Sequence, residues 1–229
     1  MTDSERGLWL GPENRAAHRE DLATFTERAL RLDEAAVIRL RERRGGLIVA
    51  WVATGFDVLA SRVVAGRIRP ADMCAGADAL LPGLRAMAAD GFVETGFAMD
   101  SAWRGVLPPE SGFVHLDDVP ARAVLELAQQ GSSLAMEHSS AHGPPASLLD
   151  QEVLAVTSGQ DSVGIPMRCV FALTGMGFLP QSPSQERFAP ASVDAEEVVR
   201  VRATASWLRV DARFGTVYRR RGDPAVVLR

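Results

Sequence analysis

Apolar and polar positions alternate most clearly just before the first glycine pair. There Ala36, Ile38 and Leu40 interleave with Arg39, Arg41 and Arg43, the period-two pattern of a strand with one buried and one wet face. Arg44-Gly45-Gly46 follows as a turn. Leu47 to Val52 (LIVAWV) is then apolar without interruption, which suits a central strand covered on both faces. Thr54-Gly55-Phe56-Asp57 closes a second turn, and Val58 to Ala65 returns as a mixed strand. The region Val37 to Ile68 therefore predicts a three-stranded antiparallel meander, with Leu40, Ile48 and Trp51 in its core.

Helical spacing flanks the meander. From Arg15 to Arg31 the apolar positions Leu22, Phe25, Ala29 and Leu32 recur every three or four residues, which predicts an amphipathic helix covering the sheet, capped by Asn14. Trp9 and Leu10 are expected to tuck a short N-terminal arm onto the core. A second helical stretch is expected from Pro70 and Asp72 to about Ala89, kinked by Pro82, which removes a backbone donor, and ended by Gly91. Phe92, Phe97 and Trp103 are expected to pack at the sheet end. Pro108-Pro109-Glu110-Ser111-Gly112 reads as a domain boundary.

The second half reads as mainly helical. Asp118 is positioned to cap a helix running from Pro120 to Gln130 with Gly131 as its stop. Pro145 to Val156 and Gly164 to Thr174 predict two more. Pro180 to Ser192 is poor in apolar residues and is expected to be the most mobile internal segment, cut first by trypsin at Arg187. Strand patterns close the chain at Val198 to Ala203, Leu208 to Ala212 and Thr216 to Arg219. The expected fold class is α+β: helix, three-stranded antiparallel meander and helix in residues 1–110, then a helical half closed by a short antiparallel sheet in residues 111–229.

Composition narrows the chemistry. With 229 residues, 47% hydrophobic and 24% charged, the chain can bury a core and is too apolar for disorder, and two domains are favoured over one. Its longest apolar run, Leu47 to Ala53, falls far short of the roughly 20 residues of a bilayer span. MTDSERG lacks the apolar segment of a secretory signal, so a cytoplasmic, bacterial-type setting with no membrane partner is expected. Cys74 and Cys169 then read as free buried thiols. All 25 basic residues are arginine, which excludes a P-loop lysine, a Schiff-base lysine and a kinase-type lysine. The net charge is −4, yet residues 35–69 hold seven Arg against two acids and residues 198–229 hold eight against two. An arginine-lined sheet face thus meets phosphate or an acidic partner, or is a solvated face in a lysine-free protein.

Three segments carry a resemblance. Trp103-Arg104-Gly105-Val106-Leu107-Pro108-Pro109, Ala172 to Leu179 (ALTGMGFL), and Trp207-Leu208-Arg209-Val210 followed by Gly215-Thr216-Val217-Tyr218 resemble an uncharacterised actinobacterial protein family of paired domains of unknown function. The resemblance spans most of the chain and implies a bacterial cytosolic two-part protein. It implies no functional residues.

Specific site chemistry is thin. His138 and His142 stand four apart, a spacing that places two metal ligands on one helix face. The residues between them are Ser139, Ser140 and Ala141 rather than a glutamate, and Gly143-Pro144-Pro145 follows, so a polar connection is the plainer reading. No G-x-S-x-G elbow is present, and Gly175-Met176-Gly177 is too short for a dinucleotide fingerprint. No cofactor is expected. The candidate partner-binding residues are Arg39, Arg41, Arg43 and Arg62, which point to a non-catalytic binding or regulatory module for a protein partner or a homo-oligomer. A winged-helix DNA binder is the alternative, disfavoured because Gly164 to Thr174 offers Arg168 as its single charge. An enzyme with a non-standard site is the second alternative.

Overall fold

A computed structural model describes residues 6–138, 144–158, 161–180, 190 and 193–222. The chain divides into two compact units, one of residues 1–55 and 59–106 and one of residues 56–58 and 107–229.

The first unit is a sheet with two helices on one face. Its elements are β1 (Gly7–Leu10), α1 (Arg15–Leu32), β2 (Val37–Arg43), β3 (Leu47–Thr54), β4 (Val58–Arg69), β5 (Asp72–Gly76), α2 (Ala77–Arg85) and β6 (Phe92–Val93). The expected meander is present in the order β2-β3-β4. Ile38 faces Val52, Leu40 faces Ala50 and Glu42 faces Ile48 across the β2–β3 ladder. Of these, Ile38, Leu40, Ile48, Ala50 and Val52 are buried with Ala60, Val64 and Ile68 of β4 and with Leu22, Phe25 and Ala29 of α1 and Leu80 and Leu84 of α2, while Glu42 at the strand end is exposed. The opposite face carries the odd positions.

Several local expectations fail in this unit. The stretch Asp72–Gly76 is a strand, antiparallel to β2 with Leu40 opposite Met73, and helix α2 begins only at Ala77. A helix there would have left the outer edge of β2 unpaired, a row of open donors and acceptors. Pairing satisfies that edge and buries Met73, Cys74 and Ala75. Pro82 does lie inside α2. Asn14 makes no side-chain cap bond and sits at φ 52°, and the arm with Trp9 and Leu10 is strand β1 on β4.

The second unit corrects the fold class. It is built mainly of antiparallel strands: β7 (Val114–Pro120), α3 (Ala121–His138), α4 (Ala146–Asp150), β8 (Glu152–Ser158), β9 (Asp161–Pro166), α5 (Met167–Gly175), β10 (Val198–Ala203), β11 (Trp207–Ala212) and β12 (Gly215–Arg220). Strands β12-β11-β10-β7 are neighbours in that order, and β8-β9 form a separate hairpin. The three closing strands are where the pattern put them. The expected helical half is not a helical half: residues 118–120, read as a helix cap and start, 152–156, read as a helix end, and 164–166, read as a helix start, all lie in strands.

Each misreading has a local cause. Val153 and Val156 fit a helical stripe, but a short apolar run is ambiguous between periods, and here Val156 pairs with Val163 in a hairpin. Asp118 lies in β7 opposite Arg200 rather than at a helix cap. Gly131 does not stop α3. A β-carbon there would lie 2.7 Å from the Met167 side chain and 3.1 Å from Phe171 Cζ, so the glycine admits close approach of α5 within a continuing helix. Val124, Leu125 and Ala128 of α3 are buried with Val170 and Leu173 of α5 and Val199, Val201, Leu208, Val210 and Val217 of the sheet. The segment 180–192, with Arg187, lies outside the described residues apart from Pro180 and Pro190.

Candidate functional site

Period-two geometry assigns each arginine of the first unit to a face. Arg39, Arg41 and Arg43 stand opposite Trp51, Val49 and Leu47 of β3, and Arg39 and Arg41 stand opposite Cys74 and Asp72 of β5. All belong to the face away from the helices. The odd positions of β4 extend it, because Arg67 and Arg69 pair with Trp9 and Gly7 of β1 and alternate with buried Ile68. This outer face therefore carries Arg39, Arg41, Arg43, Arg67 and Arg69, of which Arg39 and Arg41 reach the carboxylate of Asp72.

These arginines are not equivalent. Arg39 is engaged: its Nε donates to Asp72 Oδ1 at 2.8 Å and its Nη2 to Oδ2 at 2.7 Å, and its guanidinium lies 5.7 Å from the centroid of Trp103. That donation holds the Asp72 carboxyl below its ordinary pKa and raises the Arg39 value. Arg41 reaches the same carboxylate only at 3.9 Å and is exposed. Arg43 is exposed and makes no ion pair among the described residues. Arg67 stacks on Trp9 at 5.0 Å from the ring centroid, and Trp9 packs on Phe92 at 5.3 Å. Arg62 lies elsewhere. It alternates with the outer positions, shares the helix-covered face with Ala60 and Val64, and pairs with Asp21 of α1 at 2.5 Å.

The edge of β5 is closed by the chain itself. Ala98 bridges Ala75 in antiparallel register, the Met99 amide donates to Cys74 O at 3.0 Å, and Asp100 Oδ1 accepts the Cys74 amide at 2.8 Å. Arg6 donates to Cys74 O at 2.6 Å and pairs with Asp100 at 3.4 Å. This register puts Phe97 and Met99 on the same side as Cys74 and Arg39. Phe97, expected to pack inward, is 92% exposed, and Met99 is exposed beside it. The alternation Phe97, Ala98, Met99 was visible in the chain. What it lacked was any sign of which side was open.

The remaining candidates separate. Arg168 is 8% exposed. It donates to Asp150 Oδ1 from Nη2 at 2.5 Å and from Nε at 3.0 Å, and from Nη1 to Phe56 O at 2.7 Å. A groove-reading role for it is thereby removed, and residues 164–166 are strand, so the winged-helix reading fails. Cys74 and Cys169 are free and buried. Burial, reinforced by Asp100, pushes the Cys74 thiol up to about 11, and burial pushes Cys169 up to about 12. His138 ends α3, while His142 lies outside the described residues. Among the described residues no three His, Cys, Asp or Glu side chains gather in a metal-binding group, and no helix is long and apolar enough to cross a membrane.

Each unit is a mostly antiparallel sheet with helices packed on it, and this fold is similar to that of solved bacterial DNA polymerase sliding clamps. The chain is similar in fold to the Bacillus subtilis DNA polymerase sliding clamp (TM-score 0.55, 12% identity, 95% of this chain and 64% of that one). It is likewise similar to the Bartonella birtlesii DnaN sliding clamp, DNA polymerase III subunit beta, bound to griselimycin (0.52, 14%, 96% and 65%), and to Caulobacter crescentus pol III beta (0.53, 13%, 90% and 65%). It thus spans less than two thirds of the length of these chains. At such identities the likeness is one of fold.

Residues 108–224 match the domain of unknown function DUF8185, and the chain belongs to that family. Residues 3–105 match a second, adjacent domain of unknown function, DUF8010. No curated protein matches.

Proposed function

We propose that this protein is a non-catalytic, clamp-like binding module whose first unit recognises an acidic protein partner through the outer face of its sheet, with Arg39, Arg41 and Arg43 in the contact. The observation that carries it is the charge of that face: five arginines stand on it, two of them at the Asp72 carboxylate, and Arg41 and Arg43 present exposed guanidinium groups. Guanidinium forks suit carboxylates bidentately, and a net-positive patch speeds encounter with an oppositely charged partner. Arg62, held by Asp21 on the other face, is not part of this contact. The likeness to proteins described as DNA polymerase clamps supports a scaffold that works by association, and it raises DNA as a second reading. Against DNA, the α1 and α2 segments carry five arginines (Arg15, Arg19, Arg28, Arg31, Arg85) beside four acids (Glu20, Asp21, Glu27, Asp78), and a nucleic-acid surface is far more one-sided.

We further propose a division into two domains near residues 106–110, supported by the adjoining family matches. A bacterial cytosolic setting is supported by the two free buried thiols and the lysine-free composition.

Titration with poly-L-glutamate at low and high salt tests the proposal. Binding by the parent that weakens with salt and falls away in the Arg41→Gln/Arg43→Gln variant is expected. Equal binding by parent and variant, or binding of duplex DNA in preference to the polyglutamate, would overturn it.

A further inference from the structure

We infer that Phe97 and Met99 form the apolar anchor of this same face, so that its occupant is an extended acidic protein segment carrying an apolar side chain at one end. The inference rests on the proposed recognition of an acidic partner and specifies its chemistry. Phe97 is presented almost fully to solvent, yet its backbone is not loose: the Ala98–Ala75 bridge, the Met99 amide on Cys74 O and the Asp100 carboxylate on the Cys74 amide fix the strand-like segment on which it stands. An exposed aromatic held on ordered backbone loses little entropy on contact, which is the property of an interface anchor. Met99 beside it adds a polarisable side chain that adapts its shape.

The arginines lie along the strands from this anchor. Arg39 stands opposite Cys74, the residue whose carbonyl accepts from Met99, and Arg41 and Arg43 follow at steps of about 6.6–7 Å. From Phe97 to Arg43 the face therefore runs roughly 20 Å, the reach of six or seven extended residues. An extended peptide with acids at alternate positions matches the arginine spacing and delivers its end to Phe97. Asp72 and Asp100 stand between the anchor and the exposed arginines. A protein segment can oppose them with neutral or basic residues, whereas every unit of a nucleic-acid backbone would bring another negative charge against them.

The test uses the whole chain and two synthetic peptides, Glu-Ser-Glu-Ser-Glu-Gly-Leu and the same peptide ending in Ser, with a single-stranded oligonucleotide as a third probe. The parent is expected to prefer the Leu peptide by about tenfold, and Phe97→Ala to erase that preference while leaving the Ser peptide unchanged, since truncating an anchor typically costs a factor of this size. Phe97→Ala is exposed enough to leave the denaturation midpoint in place, which separates a lost contact from a lost fold. Equal binding of the two peptides, with loss of both in Arg41→Gln/Arg43→Gln, would overturn the anchor and keep the arginine face. Failure of both peptides to bind would overturn both. Tighter binding of the oligonucleotide, lost in Phe97→Ala, would show the aromatic to be a base-stacking platform and overturn the protein-segment assignment.

Discussion

Arg39 and Asp72 sit diagonally across neighbouring strands and form a two-bond ion pair, Nε to Oδ1 at 2.8 Å and Nη2 to Oδ2 at 2.7 Å. The pair ties β5 to β2 on the outer face and sets Arg39 apart from Arg41 and Arg43. Its electrostatics give a pH signature. The Asp72 carboxyl lies below its ordinary value of 3.8, chiefly because Arg39 donates to it. A depressed acid contributes stability at pH above its unfolded value, and that contribution disappears as pH falls through the folded value. Urea midpoints of parent and Asp72→Asn should therefore differ at neutral pH by a constant small amount, and the difference should close as the pH drops below 3.8. A gap that widens on acidification would contradict the pair.

Arg39→Gln should destabilise, by up to about 1 kcal/mol, since it removes a bidentate contact at a half-exposed site. Arg41→Gln and Arg43→Gln should each stay within about 0.5 kcal/mol of the parent, as exposed substitutions do. Chemical denaturation of the three single variants checks the ranking. Similar midpoints for all three would mean that the Asp72 bridge adds nothing.

Trp51 is 8% exposed on the central strand of the meander, directly opposite Arg39. Trp51→Ala should cost about 3–5 kcal/mol, and Ile48→Ala, fully buried on the other face, about 2–5 kcal/mol. Losses at both positions are required if β3 is covered on both sides. An unchanged midpoint for Trp51→Ala would leave one face of the strand open.

Arg168→Met should lower stability by about 2 kcal/mol, because charged hydrogen bonds to Asp150 and to the Phe56 carbonyl are lost together. Arg168→Lys should not restore it, since one ammonium cannot reproduce the guanidinium fork. Thermal melts of the two variants decide. Full rescue by lysine would show that charge alone matters there.

With thiols raised to about 11 and about 12, Cys74 and Cys169 should both resist alkylation by iodoacetamide at pH 8 in the folded protein and both react in denaturant. Mass spectrometry of the alkylated chain counts the adducts. Rapid labelling of Cys74 in the folded state would mean that the 98–100 segment does not cover it.

The sequence by itself determined the strands whose period was strict and whose turns were glycine-marked. Ile38 and Leu40 against Arg39 and Arg41 could only be one face buried and one wet, and Gly45-Gly46 and Gly215 marked where the chain reversed. It determined as well that α1 would lay Leu22, Phe25 and Ala29 on a sheet. Only the tertiary structure decided the identity of short apolar runs, because local pattern is nearly silent where backbone pairing supplies the free energy. Residues 72–76 are a strand because β2 needed an edge partner, 152–158 because 161–166 lay opposite, and Gly131 is helical because Met167 and Phe171 come up against it. The candidate site divides in the same way. The row of Arg39, Arg41 and Arg43 was legible from alternation alone. That Asp72 would engage Arg39, that Arg62 would turn to Asp21, and that Phe97 would face solvent depended on which strand edge met which segment, and contacts between residues far apart in the chain leave no periodic trace.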